Sequence, residues 1–209
     1  MATRKESGPE TTNGLPTKQD IDQCRRCELW QPATQGVPGD GPRNATIMLV
    51  GEQPGDEEDL AGRPFVGPAG RLLRELLVAA KIDPRHAYVT NAVKHFYFEL
   101  RGKRRLHKTP MQRHVTACHA WLERELAAVT PGVIVTLGAT ALAAVLGRRV
   151  AITEARTERL TYGAAAIQVV ATYHPSAILR VPDDRGRDEL RALLLEDLKR
   201  AARLATRRK

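Results

Sequence analysis

The stretch "ATIMLVGEQPGDEEDLAGRPFVGPAGRLLRELLVAAKI", residues 45–82, decides the fold. Residues 45–51 form a short apolar run ending in glycine, which predicts a buried strand. A Gly- and Pro-rich loop follows, then the helical stretch "RLLRELLVAAKI". The same alternation continues along the chain. "AYVTN" (87–91), "GVIVTLG" (132–138) and "AAIQVVATYHP" (165–175) read as further strands. Helices are predicted at "HVTACHAWLERELAAV", "ATALAAVLG" and "RDELRALLLEDLKRAARLA"; the first places Val115, Cys118, Leu122, Leu126 and Val129 on one face. Strands alternating with helices imply parallel β-α units, so the expected fold is α/β, a three-layer α/β/α sandwich with a mainly parallel central sheet of about four strands. In such folds ligands bind at the carboxyl ends of the strands, here "GEQPG", "TN", "LGAT" and "YHPS".

A chain of 209 residues is long enough for one well-buried domain. We place a disordered tail at residues 1–16, polar and rich in turn-formers, and a single domain at 17–209. No apolar run approaches the roughly 20 residues of a membrane span, and the N-terminus lacks the apolar core of a secretory signal, so cytoplasmic residence is expected. The three cysteines, an odd count, argue against a disulfide framework, and "CRRC" at 24–27 looks like half of a metal or cluster site. The net charge of +9 favours a polyanionic partner, nucleic acid being the commonest.

Part of that charge is concentrated in "LRGKRRLHKTP", residues 100–110, where Lys103, Arg104, Arg105 and Lys108 surround His107. So many like charges cannot be buried cheaply, so the segment is expected to be a loop facing solvent or an anionic partner. At the first strand's end, Glu52, Gln53 and Asp56 occupy a loop with free backbone groups, though a tight strand-to-helix connection would look the same. Neither a G-x-G-x-x-G nor a G-K-[ST] phosphate fingerprint is present. His174 is held rigidly ahead of Pro175 and can donate to a developing anion; Asn91 can read a donor–acceptor edge with its amide. Singly, such residues are more often structural.

In order, "GEQPGDEEDLAGRPFVGPAGRLL", "YVTNAVKH", "LGATA" and "YHPSAILR" resemble the uracil-DNA glycosylase superfamily, in its iron–sulfur branch. The resemblance runs from about Cys24 to the final helix. The inserted "GKRRLH" is similar to that of the UdgX group, in which such a loop carries a histidine that bonds covalently to DNA; this chain has Leu106 where the group's usual form has isoleucine.

The resemblance implies that uracil is flipped from the DNA stack into a pocket and its glycosidic bond cleaved. Phe65 would stack on the base, Asn91 would bond its edge and reject cytosine, and His174 would donate to uracil O2. Gln53 and Asp56 would shape the same pocket, and Lys103, Arg104, Arg105 and Lys108 would hold DNA phosphates. His107 would capture C1′ in place of water, assisted by Glu52 and kept neutral by the neighbouring cations, in a single-turnover suicide reaction. Cys24, Cys27, Cys118 and His95, which stands where the relatives have a cysteine, would hold a [4Fe–4S] cluster. Zinc is a similar but disfavoured alternative, and His114 and His119 are rival fourth ligands. The expected partner is uracil-containing DNA, with single strands preferred, and the protein is expected to be a monomer. Two rival readings are a hydrolytic glycosylase releasing a free abasic site and a non-catalytic, metal-stapled nucleic-acid-binding module.

Overall fold

The structure is a computed structural model that describes residues 14–206. After α1 (Lys18–Asp22) come β1 (Ile47–Gly51), α2 (Asp56–Ala61), α3 (Pro68–Ala79) and β2 (Ala87–Asn91). Then follow β3 (Phe98–Arg101), β4 (Arg104–His107), α4 (Gln112–Val129), β5 (Val133–Leu137), α5 (Ala139–Leu146) and α6 (Ile152–Ala155). The domain closes with β6 (Leu160–Tyr162), β7 (Ile167–Thr172), α7 (Pro175–Arg180) and α8 (Asp184–Thr206). Of the tail expected at 1–16, residues 1–13 lie outside the described residues. Leu15 already packs on the core and the Gly14 carbonyl accepts from Arg124 Nε at 2.8 Å, so ordered packing starts before Thr17.

The sheet has five strands in the order β2-β1-β5-β7-β6. All neighbours are parallel except β6 and β7. The expected three layers and mainly parallel sheet are present; the strand missing from the prediction is β6, a three-residue antiparallel edge. Alternation along the strands builds two cores. Met48, Val50, Ile134 and Ala171 face α4 and α5, whereas Ile47, Leu49, Val135 and Val170 face α3 and α8. Because both faces are covered, β1 and β5 are buried at every position.

The basic segment read as a loop is instead a hairpin. β3 and β4 pair antiparallel, Phe98 opposite His107 and Arg101 opposite Arg104, around a turn where Gly102 takes φ +62°. The charge run hides the strands because this two-stranded ribbon lies off the main sheet and keeps most of its side chains exposed.

Beneath the sheet's carboxyl end lies a fully buried ion pair, Lys94 Nζ to Glu125 Oε2 at 2.7 Å. Lys94 also donates to Thr90 Oγ1 (2.6 Å) and to the Asn91 carbonyl (2.9 Å). Glu125 accepts from Thr90 Oγ1, Gly39 N–H and Tyr88 Oη. A buried pair is tolerable only when its remaining donors and acceptors are matched in this way. Removing one partner leaves an uncompensated buried charge, so Glu125→Ala is expected to cost about 3–5 kcal/mol in urea unfolding. A loss under about 1 kcal/mol would mean that the network does not hold β2 to α4.

Candidate active site

The carboxyl ends of β1, β2, β5 and β7 open into a cleft of about 600 Å³. Its walls carry Glu52, Gln53, Asp56, Phe65, Asn91, His107 and His174, so the residues expected at the site from four separate segments do meet.

The floor depends on two glycines. A Cβ at Gly51 would collide with Asn91 Oδ1 and the Phe65 ring, and one at Gly70 would strike the Phe65 carbonyl. Phe65 itself sits in the left-handed region at φ +56°, a strained conformation for a side chain of this size. Its carbonyl is held by Arg74 Nη1 at 2.7 Å. Glu58 closes the loop that carries Phe65 by accepting from Gly55 N–H (3.0 Å) and Gly67 N–H (2.9 Å). The Phe65 and His174 rings are stacked with centroids 6.3 Å apart. Asn91 is only 3% exposed, and its side-chain amide takes no hydrogen bond among the described residues. It is therefore available to a ligand edge.

His174 caps α7: its Nδ1 accepts from Ser176 N–H at 3.2 Å and contacts Ser176 Oγ at 2.7 Å. With Nδ1 accepting, the ring proton of the neutral imidazole belongs on Nε2. Burial pushes the pKa down to about 4, against the pull of Glu52, so His174 is a neutral Nε2–H donor near pH 7.

His107 ends β4 with its ring 44% exposed and Nε2 3.3 Å from Glu52 Oε1. The other Glu52 oxygen accepts from the Thr140 hydroxyl, on the first turn of α5. Burial opposes ionisation of Glu52, but the hydrogen bonds from His107 and Thr140 outweigh it, and the carboxyl lies below its usual range. Thr140 was given no role from sequence; its place in "LGAT", just past a strand end, was the available signal.

The hairpin is tied to this cleft by groups that sequence assigned elsewhere. Gln53 uses its whole amide on backbone, donating to the Tyr97 and Lys108 carbonyls and accepting from Tyr97 N–H. Arg105 is not a free cation: it bonds Asp59 Oδ2 at 2.6 Å, pairs with Asp56, and packs over Phe96 and Phe98. Lys108 pairs with Glu99 at 3.2 Å. Of the cations expected to stand free around His107, Arg105 and Lys108 are thus matched by carboxylates, and the ion-pair partner of His107 itself is Glu52. Lys103 and Arg104 are exposed at the hairpin turn and form no ion pair among the described residues.

Outside the cleft lining, the CxxC segment meets α4. The Cys27 and Cys118 thiols are neighbours, and their mutual interaction draws the Cys27 pKa down to about 6, while the same interaction and burial push that of Cys118 up. Cys24 Sγ accepts from Trp121 Nε1 at 3.3 Å. His95 is buried with no hydrogen bond to its ring among the described residues, and burial lowers its pKa to about 4. The rival His114 has both nitrogens engaged, Nδ1 by Met111 N–H and Nε2 by Glu28. His119 pairs with Glu123 at an exposed position. Among the described residues, no three His, Cys, Asp or Glu side chains converge tightly enough for one metal ion.

The strand ends of this α/β sandwich bring together a buried aromatic ring, an amide without a hydrogen bond among the described residues and a histidine. Residues 38–199 match the description "Uracil DNA glycosylase superfamily", and the chain belongs to that superfamily. It is 35% identical over 195 residues to a Type-4 uracil-DNA glycosylase of Sulfurisphaera tokodaii, covering 90% of this chain and 83% of that protein. A Type-4 uracil-DNA glycosylase of Thermotoga maritima is 37% identical, with 87% and 88% covered. A Type-5 uracil-DNA glycosylase of Pyrobaculum aerophilum is 33% identical, with 77% and 74% covered. None of the described helices is long and apolar enough to cross a membrane.

The depressed His174 pKa carries a stability signature. Between pH 6.5 and about 4 the unfolded chain binds a proton at this residue and the folded chain does not, so stability falls as pH falls through that window. His174→Asn keeps a capping side chain and removes the titration. Urea unfolding at several pH values should show wild type losing its advantage over this variant from pH 6.5 downward. Parallel curves would show that His174 is not buried neutral.

Proposed function

We propose that this protein is a uracil-DNA glycosylase acting preferentially on single strands, and that His107 captures C1′ of the sugar as uracil departs. The observation that carries the capture step is His107 Nε2 at 3.3 Å from Glu52 inside the cleft that also holds Phe65, Asn91 and His174. Superfamily membership supports the excision step.

A flipped uracil stacks on Phe65, which the bare Gly51 lets lie close to Asn91, recovering part of the stacking lost from DNA. The unengaged Asn91 amide bonds the pyrimidine edge; cytosine reverses a donor and an acceptor there and leaves buried groups unpaired. As the C1′–N1 bond breaks, its electron pair passes to uracil, and the Nε2–H of neutral His174 donates to the negative charge growing at O2. The lone pair of the neutral His107 imidazole then bonds to C1′. The ring's N–H proton passes to Glu52 and on to solvent or the uracil anion, so the adduct leaves as a neutral N-glycosyl imidazole. The protein is consumed, one molecule per site. A single strand spares the cost of unpairing the base. Lys103 and Arg104 at the hairpin turn are placed for flanking phosphates, whereas Arg105, Asp56 and Gln53 act by holding the hairpin. The protein acts as a monomer.

The donor chemistry where the CxxC segment meets α4 fits a [4Fe–4S] cluster on Cys24, Cys27, Cys118 and His95. The thiols flank α4, the His95 ring lacks another partner, and such a cluster takes its ligands farther apart than a single zinc does. Bound there, it would supply a covalent tie between the N-terminal segment and α4.

The test mixes protein with a labelled uracil-containing single strand and runs a denaturing gel. A uracil-dependent band that survives heat and detergent, absent with a thymine strand and with His107→Ala, is expected. Strand cleavage after alkali without that band would mean release by water and would end the nucleophile role; neither product would leave only a binding module. In the same assay Thr140→Val should slow product formation about tenfold or more, since it frees one oxygen of a partly buried carboxylate, and Thr140→Ser should restore it. An unchanged Val variant would show that Glu52 needs no such support.

A further inference from the structure

A second cavity of about 430 Å³ adjoins the cleft. Thr109 lines both. Thr140, whose hydroxyl bonds Glu52, stands in the wall of the second, so the partition between them is one side chain thick. The floor is apolar, from Val115, Ala143 and Val150. Gln112 and Arg149 stand at the rim, both exposed, and neither makes a side-chain hydrogen bond or ion pair among the described residues.

We infer that this cavity is a subsite for the nucleotide next to uracil on one side of the same strand, its base against the apolar floor and its phosphate on Arg149. The inference rests on the function proposed above. Three observations single out this occupant. The volume lies within the range of about 300–1,000 Å³ usual for small-ligand pockets. Thr109 is two residues beyond His107, at most about 7 Å along the chain, so a strand whose sugar lies at His107 meets the second cavity within about one nucleotide. Arg105 and Lys108 of the hairpin are matched by carboxylates, whereas Arg149, at the second cavity itself, forms no ion pair among the described residues, and an unmatched cation beside an apolar pocket complements a base and its phosphate. Arg149 lies in the turn after α5, outside every segment that sequence reading tied to DNA.

The experiment measures single-turnover uracil release from three labelled strands: uracil internal, uracil at the 5′ end, and uracil at the 3′ end. Wild type, Arg149→Ala and Ala143→Leu, which fills the cavity floor, are compared, with thermal midpoints confirming that each variant folds. Arg149→Ala should lower the subsaturating rate about tenfold on the internal strand and reduce the slope of log rate against log salt by about one. On the strand that lacks the neighbouring nucleotide on the relevant side, both variants should match wild type. An equal loss on all three strands would reduce Arg149 to a general electrostatic contributor and overturn the subsite, as would no loss on any. Uracil release by wild type in those cases leaves the proposed function standing; its absence would remove that function and the subsite together.

Discussion

The buried Lys94–Glu125 pair is the constraint on which the site's geometry rests. It joins the segment leaving β2 to the middle of α4 in a region where neither charge can reach water. Lys94 also takes the carbonyl of Asn91, fixing the backbone of the residue whose amide faces the cleft. The next residue is His95, and α4 carries Cys118 less than two turns before Glu125. A helix advances 1.5 Å per residue, so these groups are rigidly linked. The polar network is thus a mechanical joint between the cleft and the cysteine side of the domain. Such a joint is costly to assemble, and its worth lies in specifying one arrangement rather than in net stability.

The cleft needs that rigidity because its floor is strained. Phe65 is held at positive φ by Arg74, by the Glu58 closure of its loop, and by the absence of side chains at Gly51 and Gly70. Strain of this kind persists only where the surroundings over-determine it, and it is common where a ring must be presented in one orientation. The result is an aromatic ring and an unengaged amide that both lie against a bare glycine.

Four of the five strands were legible because their apolar runs end in glycine or polar turn residues, the signature of strands buried on both faces. β6 was not, since three residues of "LTY" on an antiparallel edge carry no periodicity. The hairpin escaped for a different reason: charge density reads as solvent exposure, and exposure alone does not separate a loop from a two-stranded ribbon. Of the site, Glu52, Phe65, Asn91, His107 and His174 were legible through the superfamily resemblance that their motifs carry, and the structure brings them into one cleft. The partners of Arg105 and Gln53 were not. They lie 44 to 55 residues away in sequence, and nothing local announces a contact made only when the chain folds.

That distinction changes how the basic segment works. If every cation near His107 were free, the ribbon would repel itself and the histidine would sit on a mobile arm. Instead Arg105 lies sandwiched between two carboxylates and two phenylalanine rings, and Gln53 clips the ribbon's base by three backbone hydrogen bonds. The internal ion pairs convert a charge run into a stiff support that sets His107 against Glu52. At the turn, Lys103 and Arg104 form no ion pair among the described residues and stay exposed. Positioning and attraction are therefore divided along four residues of β-ribbon: the arginine facing inward fixes the imidazole, and the two cations at the tip reach outward. The proposed covalent step would demand this division, because a histidine that is to meet C1′ must be placed to within a fraction of an ångström, while attraction to a polyanion tolerates far looser geometry.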